Sequence, residues 1–269
     1  MRDLARRLLT LPVLALPLVL AGVAQGEPVP LAKAHSHNDY EHDRPLLEAL
    51  DQGFCSVEAD IHLVDGQLLV GHDPGDVRPE RTLEALYLAP LAERVRKNDG
   101  RVFRGGPPFS LLIDLKTEAA PTYAVLRGAL AKYADMLTTV RDGKLVPGAV
   151  TVVVSGNRPF AAVAADDPRY CGLDGRISDL EALPALELMP WISDNYSQHF
   201  TWTGAGPQPA AEKAKLREIV DKAHAAGRKL RLWATPDTPA LWQALSEADV
   251  DLINTDNLEG LAKFLRTQD

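Results

Sequence analysis

The chain has only two cysteines, Cys55 and Cys171, and only 6% aromatic residues in 269. Two thiols exclude a disulfide-dense scaffold and the cysteine-rich zinc modules; one bridge, between Cys55 and Cys171, stays open as an alternative to two buried thiols. Basic charge is also short, with 29 Lys and Arg against 37 Asp and Glu for a net −8. Residues 1–24 carry +2 (Arg2, Arg6 and Arg7 against Asp3), so the remainder carries −10. Such an acidic body lacks the footprint of a nucleic-acid binder or of a protein held on anionic lipid. Nor is there a long hydrophobic run. The apolar stretch Leu8–Val23 is broken by Pro12 and Pro17 and falls short of the roughly 20 residues that a spanning helix needs.

That stretch reads instead as a secretory signal peptide over Met1–Ala24. A basic start precedes the apolar run, and Gly22 and Ala24 stand at the −3 and −1 positions of a cleavage site. A lipoprotein would need cysteine after Leu20-Ala21-Gly22, where Val23 stands. The expectation is an exported protein, periplasmic or secreted. Residues 25–269 would form a single domain with no stable membrane span after cleavage.

Along that domain, short apolar runs alternate with helical patterns. Leu31–Ala34, Cys55–His62, Gln67–Gly71, Ser110–Lys116, Ala149–Val154, Leu188–Ile192, Lys229–Trp233 and Asp251–Asn254 read as strands. Pro45–Gln52, Arg81–Lys97, Ala120–Leu137, Ala210–Ala226, Pro239–Glu247 and Leu258–Leu265 read as helices. Strand–helix alternation predicts a parallel sheet covered by helices. Eight strands in about 245 residues predict an α/β fold of the (β/α)8 TIM-barrel type. Ser193–Pro209 reads as an active-site loop.

Polar residues interrupt runs that should be buried. Side chains alternate along a strand, so Glu58, Asp60 and His62 share one face, and Cys55, Val57, Ala59 and Ile61 the other. In a barrel the apolar face packs on the helices, which leaves two carboxylates at the inner, C-terminal end. By the same parity Asp114 and Lys116 share the face of Leu112, away from Leu111, Ile113 and Leu115. Like charges gathered there are costly unless a cation offsets them. Three carboxylates from different strands describe a hard-cation site for one Ca2+ or Mg2+; a salt-bridged network around Lys116 is the alternative. Four of the seven histidines, His35, His37, His62 and His72, lie within 38 residues that also hold Glu58 and Asp60. Two imidazoles beside a metal-bound phosphate can serve as base and acid. His42, His199 and His224 read as ordinary polar residues.

Ser36-His37-Asn38-Asp39-Tyr40, Glu58-Ala59-Asp60, His72-Asp73 and Ile113-Asp114-Leu115-Lys116 together resemble the superfamily of phosphatidylinositol-specific phospholipases C and glycerophosphodiester phosphodiesterases. The C-terminal pieces Ala223–Gly227, Leu232–Thr235 and Val250–Asp256 resemble the last two strands of the second group. Ala34–Asp73 as a whole is similar to the branch named after a yeast protein, altered inheritance of mitochondria 6. The resemblance implies a phospholipase C-like phosphodiesterase barrel that uses one divalent ion and two histidines. Glu58, Asp60 and Asp114 would hold the ion, joined by Asn38. His72 would be one acid/base partner, and Lys116 would meet the phosphate. The other histidine is His37, or alternatively His35. The Arg-Gly that follows the first histidine of glycerophosphodiesterases is absent here, as is their later Pro-Glu-Asn-Thr piece, and this favours His37. The implied activity is phosphoric diester hydrolysis on a small-molecule or lipid-derived substrate, with a glycerophosphodiester or phosphoinositide as its model. Trp233, in phase with Arg231, and Trp202 on the long loop are candidates for substrate contact.

Two other readings remain. His35-x-His37 after a first barrel strand also resembles the zinc amidohydrolases, with Asp256 as their terminal aspartate, but that scheme has no role for Glu58-x-Asp60. A barrel that binds a phosphorylated ligand without turning it over is the non-catalytic reading.

Overall fold

The computed structural model describes residues 27–268; the expected signal peptide lies outside them. Eleven strands occur among these residues: β1 (Leu31–Ser36), β2 (Phe54–Val64), β3 (Gln67–Val70), β4 (Phe109–Leu115), β5 (Thr139–Arg141), β6 (Lys144–Val146), β7 (Val150–Gly156), β8 (Gly172–Gly175), β9 (Trp191–Asn195), β10 (Lys229–Trp233) and β11 (Leu252–Thr255). Eight of them run parallel in the order β1-β2-β4-β7-β8-β9-β10-β11, and β11 pairs with β1 to close the barrel. Eight α-helices, α1 (Leu47–Asp51), α2 (Ala89–Lys97), α3 (Ala119–Ala131), α4 (Phe160–Ala165), α5 (Tyr196–His199), α6 (Ala210–Ala225), α7 (Pro239–Glu247) and α8 (Leu258–Leu265), lie between and after the strands. The fold is the (β/α)8 barrel that the alternation predicts.

Local chemistry sets the helix starts. The Thr238 side chain accepts a hydrogen bond from Leu241 N, with Pro239 in the first turn. The Asn257 side chain accepts one from Gly260 N at 3.0 Å. These bonds satisfy amides that a helix N-terminus leaves free, and a proline there loses no intrahelical bond. None of the helices among the described residues is long and apolar enough to cross a membrane.

The side-chain alternation holds. Val57, Ala59, Ile61, Leu111, Ile113 and Leu115 belong to the large apolar layer outside the barrel. Leu112, Val153, Trp191 and Leu252 form a small separate cluster inside it. Each fully buried Val, Ile or Leu side chain contributes about 1.5–3 kcal/mol, so the outer layer fixes which face turns inward.

Three local expectations change. Gln67–Gly71 is not a barrel strand: β3 runs antiparallel to the far end of β2, with Ile61 opposite Val70 and Val64 opposite Gln67. Asp65 (φ 49°) and Gly66 (φ 78°) form the two-residue turn, both in the left-handed region that tight hairpins require. The barrel strand missing from the sequence reading is β8, Gly172-Leu173-Asp174-Gly175, too short and too rich in glycine to show as an apolar run. The run at Leu188 becomes a strand only from Trp191 and then continues to Asn195, into the expected loop. Cys55 and Cys171 are both buried and unbridged. Burial pushes each thiol up to about 12.

Candidate active site

Strand register stacks the polar residues in levels. Asp60 on β2 lies opposite Asp114 on β4, and Asp114 opposite Ser155 on β7. Glu58 is one inward step lower, beside Leu112. At the C-terminal end of the barrel Glu58, Asp114 and Ser155 line a cavity of about 310 Å3, together with His37, Asn38, His72, Lys116, Arg176, Arg231, Trp233 and Ala234, while Asp60 is fully buried. Asn38 (φ 44°) and Ala234 (φ 54°) adopt left-handed backbone on its rim, a conformation uncommon for residues with a Cβ.

Glu58, Asp60 and Asp114 each offer an oxygen within 4.8 Å of the others'. At an effective dielectric of about 20, two unit charges about 5 Å apart repel by about 3 kcal/mol, so three carboxylates need cations. Two are in contact. Arg231 Nη2 donates to Glu58 Oε2 at 2.5 Å, and Lys116 Nζ lies 2.9 Å from Asp60 Oδ2 and 3.3 Å from Asp114 Oδ1. One negative charge is left over. Burial, with the charges of Asp60 and Glu58 added against Lys116, pushes the Asp114 carboxyl up to about 6. Burial alone would raise Glu58 too, but the Arg231 guanidinium outweighs it and holds that carboxyl below the usual range. Burial would lower Lys116, and its two carboxylate partners reverse this.

The second oxygen of each carboxylate is outside these ion pairs, and Asp60 Oδ1 is fully buried without any hydrogen-bond partner. An orphaned buried carboxylate oxygen is a costly arrangement. Together with the spacing and the excess charge, it fits one hard divalent cation bound by oxygen. The amide oxygen of Asn38, which accepts from Tyr40 Oη at 2.9 Å, lines the same cavity.

The histidines separate. His37 and His72 line the cavity, each backed by a carboxylate. His37 Nδ1 is 2.8 Å from Asp256 Oδ1, and His72 Nδ1 is 3.0 Å from Asp60 Oδ2. Burial would lower His37, but the hydrogen bond to Asp256 and the charge of Glu58 outweigh it and raise the imidazole above its ordinary value. His35 is completely buried and lies outside the cavity lining. Its Nδ1 pairs with Ser56 Oγ at 2.7 Å, and Nε2 sits 3.6 Å from Glu58. Burial and the Arg231 charge push it down to about 3, so His35 is neutral packing beneath Glu58. His62 Nε2 lies 3.1 Å from the backbone oxygen of His72. His42, His199 and His224 pair with Glu48, Asp194 and Asp251 away from the cavity. Trp233 is on the cavity wall. Trp202 is not: its indole donates to the carbonyls of Ala205 and Gly206 within its own loop.

The β2–β3 hairpin explains His72. β2 runs past the barrel rim, turns at Asp65-Gly66 and returns along itself, so Gly71 N donates to Asp60 O and the next residue stands beside the Asp60 carboxylate. Gly156 is as specific. At φ 66° it closes β7, and a Cβ there would sit 2.2 Å from Asp114 Oδ1; only glycine leaves room for that carboxylate.

Comparison with known proteins agrees with this geometry. Residues 25–172 match the AIM6-like phosphodiesterase domain, and residues 229–259 the glycerophosphoryl diester phosphodiesterase family. The chain belongs to the AIM6-like phosphodiesterase domain family. Among relatives, altered inheritance of mitochondria protein 6 of Eremothecium gossypii is 30% identical over 275 residues, covering 87% of this chain and 69% of that protein. The Saccharomyces cerevisiae protein of that name is 32% identical over 273 residues, covering 83% and 68%. Two solved glycerophosphodiester phosphodiesterases share the fold at 16% identity and a TM-score of 0.53. The one from Parabacteroides distasonis covers 88% of this chain and 97% of its own, and that from Agrobacterium tumefaciens 88% and 100%.

In this member of the AIM6-like family, sequence reasoning missed three participants. Tyr40 Oη lies 2.7 Å from Asp60 Oδ2 and 3.2 Å from His72 Nδ1, which ties the first motif to the second. Arg231 shows in the sequence only as a charge inside the apolar run of β10. Arg176 follows the unrecognised β8, bonds Asp174 at 2.9 Å and adds a cation to the cavity wall.

Proposed function

We propose that this chain is an exported, divalent-metal-dependent phosphoric diester hydrolase acting on small glycerophosphodiester- or phosphoinositide-like substrates, with Met1–Ala24 removed on export. One observation carries the reading: two histidines, each backed by a carboxylate, line one cavity with Glu58 and Asp114, and Asp60 completes their three-carboxylate cluster. Glu58, Asp60 and Asp114, with Asn38, would hold the ion. Bound there, Ca2+ or Mg2+ supplies charge neutralisation of a phosphoryl oxygen and lowers the pKa of a neighbouring hydroxyl.

Every other role belongs to the chain. Lys116 and Arg176 face the remaining phosphoryl oxygens as fixed positive charge, which is worth most where it develops in the transition state. The Nδ1 atoms of both histidines are held by carboxylates, which leaves the Nε2 atoms for proton transfer. His37, its basicity raised by Asp256, takes the proton of a substrate hydroxyl next to the phosphate as that oxygen bonds to phosphorus. His72 gives a proton to the departing alcohol as its P–O bond breaks. The product is a cyclic phosphate, and water opens it with the two histidines exchanging roles. Trp233 on the wall offers an apolar face to the substrate alcohol.

Phosphorus NMR of glycerophosphoinositol and glycerophosphocholine incubated with the purified chain and Mg2+ or Ca2+ tests this reading. A cyclic phosphate signal that precedes the monoester, absent with His37→Ala, is the expected result. Tight metal binding with no turnover of either diester would favour the non-catalytic barrel, and activity that requires zinc would favour the amidohydrolase reading.

A further inference from the structure

The opposite, N-terminal end of the barrel holds a second cavity of about 320 Å3, bordered by the first residues of β4, β7, β8, β9 and β10. It is within the roughly 300–1,000 Å3 of small-molecule pockets, and its surface is mostly apolar. Arg169 lines it. The backbone of Arg169 is pinned by reciprocal hydrogen bonds with Val140 at 2.8 and 2.9 Å, and the residue is only 9% exposed. Its Nε is fully buried without a partner, and its guanidinium makes no ion pair among the described residues. A buried cation left in this way is unfavourable, and a bound anion would offset the cost.

The surroundings narrow the anion. Lys229, on the wall at the start of β10, likewise has no ion-pair partner among the described residues, whereas Glu187 adds one negative charge. The lining therefore carries a net +1, which matches a singly charged head group. A planar guanidinium favours a carboxylate, which it binds through two parallel hydrogen bonds. At the cavity edge, Leu145 and Leu186 are 51% and 43% exposed, an apolar border suited to an alkyl chain.

We propose that the N-terminal end of the barrel is a second binding site, for a medium-chain fatty carboxylate. The carboxylate pairs with Arg169 and Lys229, and the chain lies along the apolar wall toward Leu145 and Leu186. The site is separate from the mouth in position and in chemistry, and it does not depend on what the mouth hydrolyses.

Calorimetric titration of the full chain with decanoate, kept below its micelle concentration, tests the proposal. Saturable one-to-one binding is expected, weakened about ten- to hundredfold in Arg169→Gln, the loss of a charge-assisted pair. Leu145→Glu, at an exposed position on β6, is expected to weaken binding by setting a charge against the alkyl chain. Decan-1-ol is expected to bind more weakly than decanoate, and Lys116→Ala, at the other end, to bind decanoate as the parent does. Failure of decanoate to saturate overturns the proposal. So does equal affinity in Arg169→Gln and Leu145→Glu, equal binding of decan-1-ol, or loss of binding in Lys116→Ala.

Discussion

Arg231 and Arg169 are both buried arginines of one barrel, 3% and 9% exposed, and they face opposite surroundings. Arg231 donates to Glu58 and, through Nε at 3.0 Å, to Asn254 Oδ1; its charge holds Glu58 low and helps to keep His35 neutral. Arg169 lines a mostly apolar cavity, its Nε without a hydrogen-bond partner and its guanidinium without an ion pair among the described residues. The same side chain is thus an internal counter-ion at the C-terminal end and an unanswered charge at the N-terminal end. Burial of a cation is informative only once its partners are counted.

The largest effect expected from this contrast is kinetic. His72→Ala at the mouth should lower kcat/KM for a diester by about 10²- to 10⁴-fold, the usual contribution of a general acid or base, with the urea midpoint unchanged. A comparable loss of rate in Arg169→Met would break the division of labour between the two ends. Next is stability: Arg231→Met strands the Glu58 carboxylate in the interior and should cost about 3–5 kcal/mol, read from urea unfolding. Gly156→Ala comes third. Its Cβ displaces Asp114, and the Kd for Mg2+ or Ca2+ by calorimetry should rise about ten- to hundredfold. Arg169→Met should be neutral or stabilising by about 1 kcal/mol in the ligand-free chain, because an apolar side chain of similar length replaces an unpaired charge.

The smallest effect is a shift of pH. Asp256 raises His37, and His37 must be unprotonated to accept a proton, so activity grows as pH rises through a value above 6.5. Asp256→Asn removes that support and should move the acid limb of the kcat/KM profile to lower pH. An unmoved limb would mean that another group sets it.

Strand parity made Glu58, Asp60 and Asp114 legible before any coordinates, because alternation along β2 and β4 is strict and only one face of each is apolar. Cross-strand facts were less visible. The return of His72 to Asp60 depends on a hairpin, and Asp65-Gly66 was the local signal for it, read over in favour of an eighth barrel strand. β8 left no hydrophobic pattern, since two of its four residues are glycine, and Arg176 went unseen with it. Arg231 was visible as a charge inside an apolar run, but its partner Glu58 is 173 residues away, a pairing that no periodicity encodes. Trp202 shows the reverse error: an aromatic on a glycine-rich loop suggested substrate contact, yet its indole serves the loop's own carbonyls.

The measurement that bears most directly on the account is the rate of choline release from glycerophosphocholine by chelator-stripped protein, with Mg2+ or Ca2+ added back, in the parent and in Glu58→Gln. The account predicts no rate without the ion, recovery when one equivalent is bound, and no recovery in Glu58→Gln. A rate that survives the chelator, or that returns in Glu58→Gln as in the parent, would contradict it.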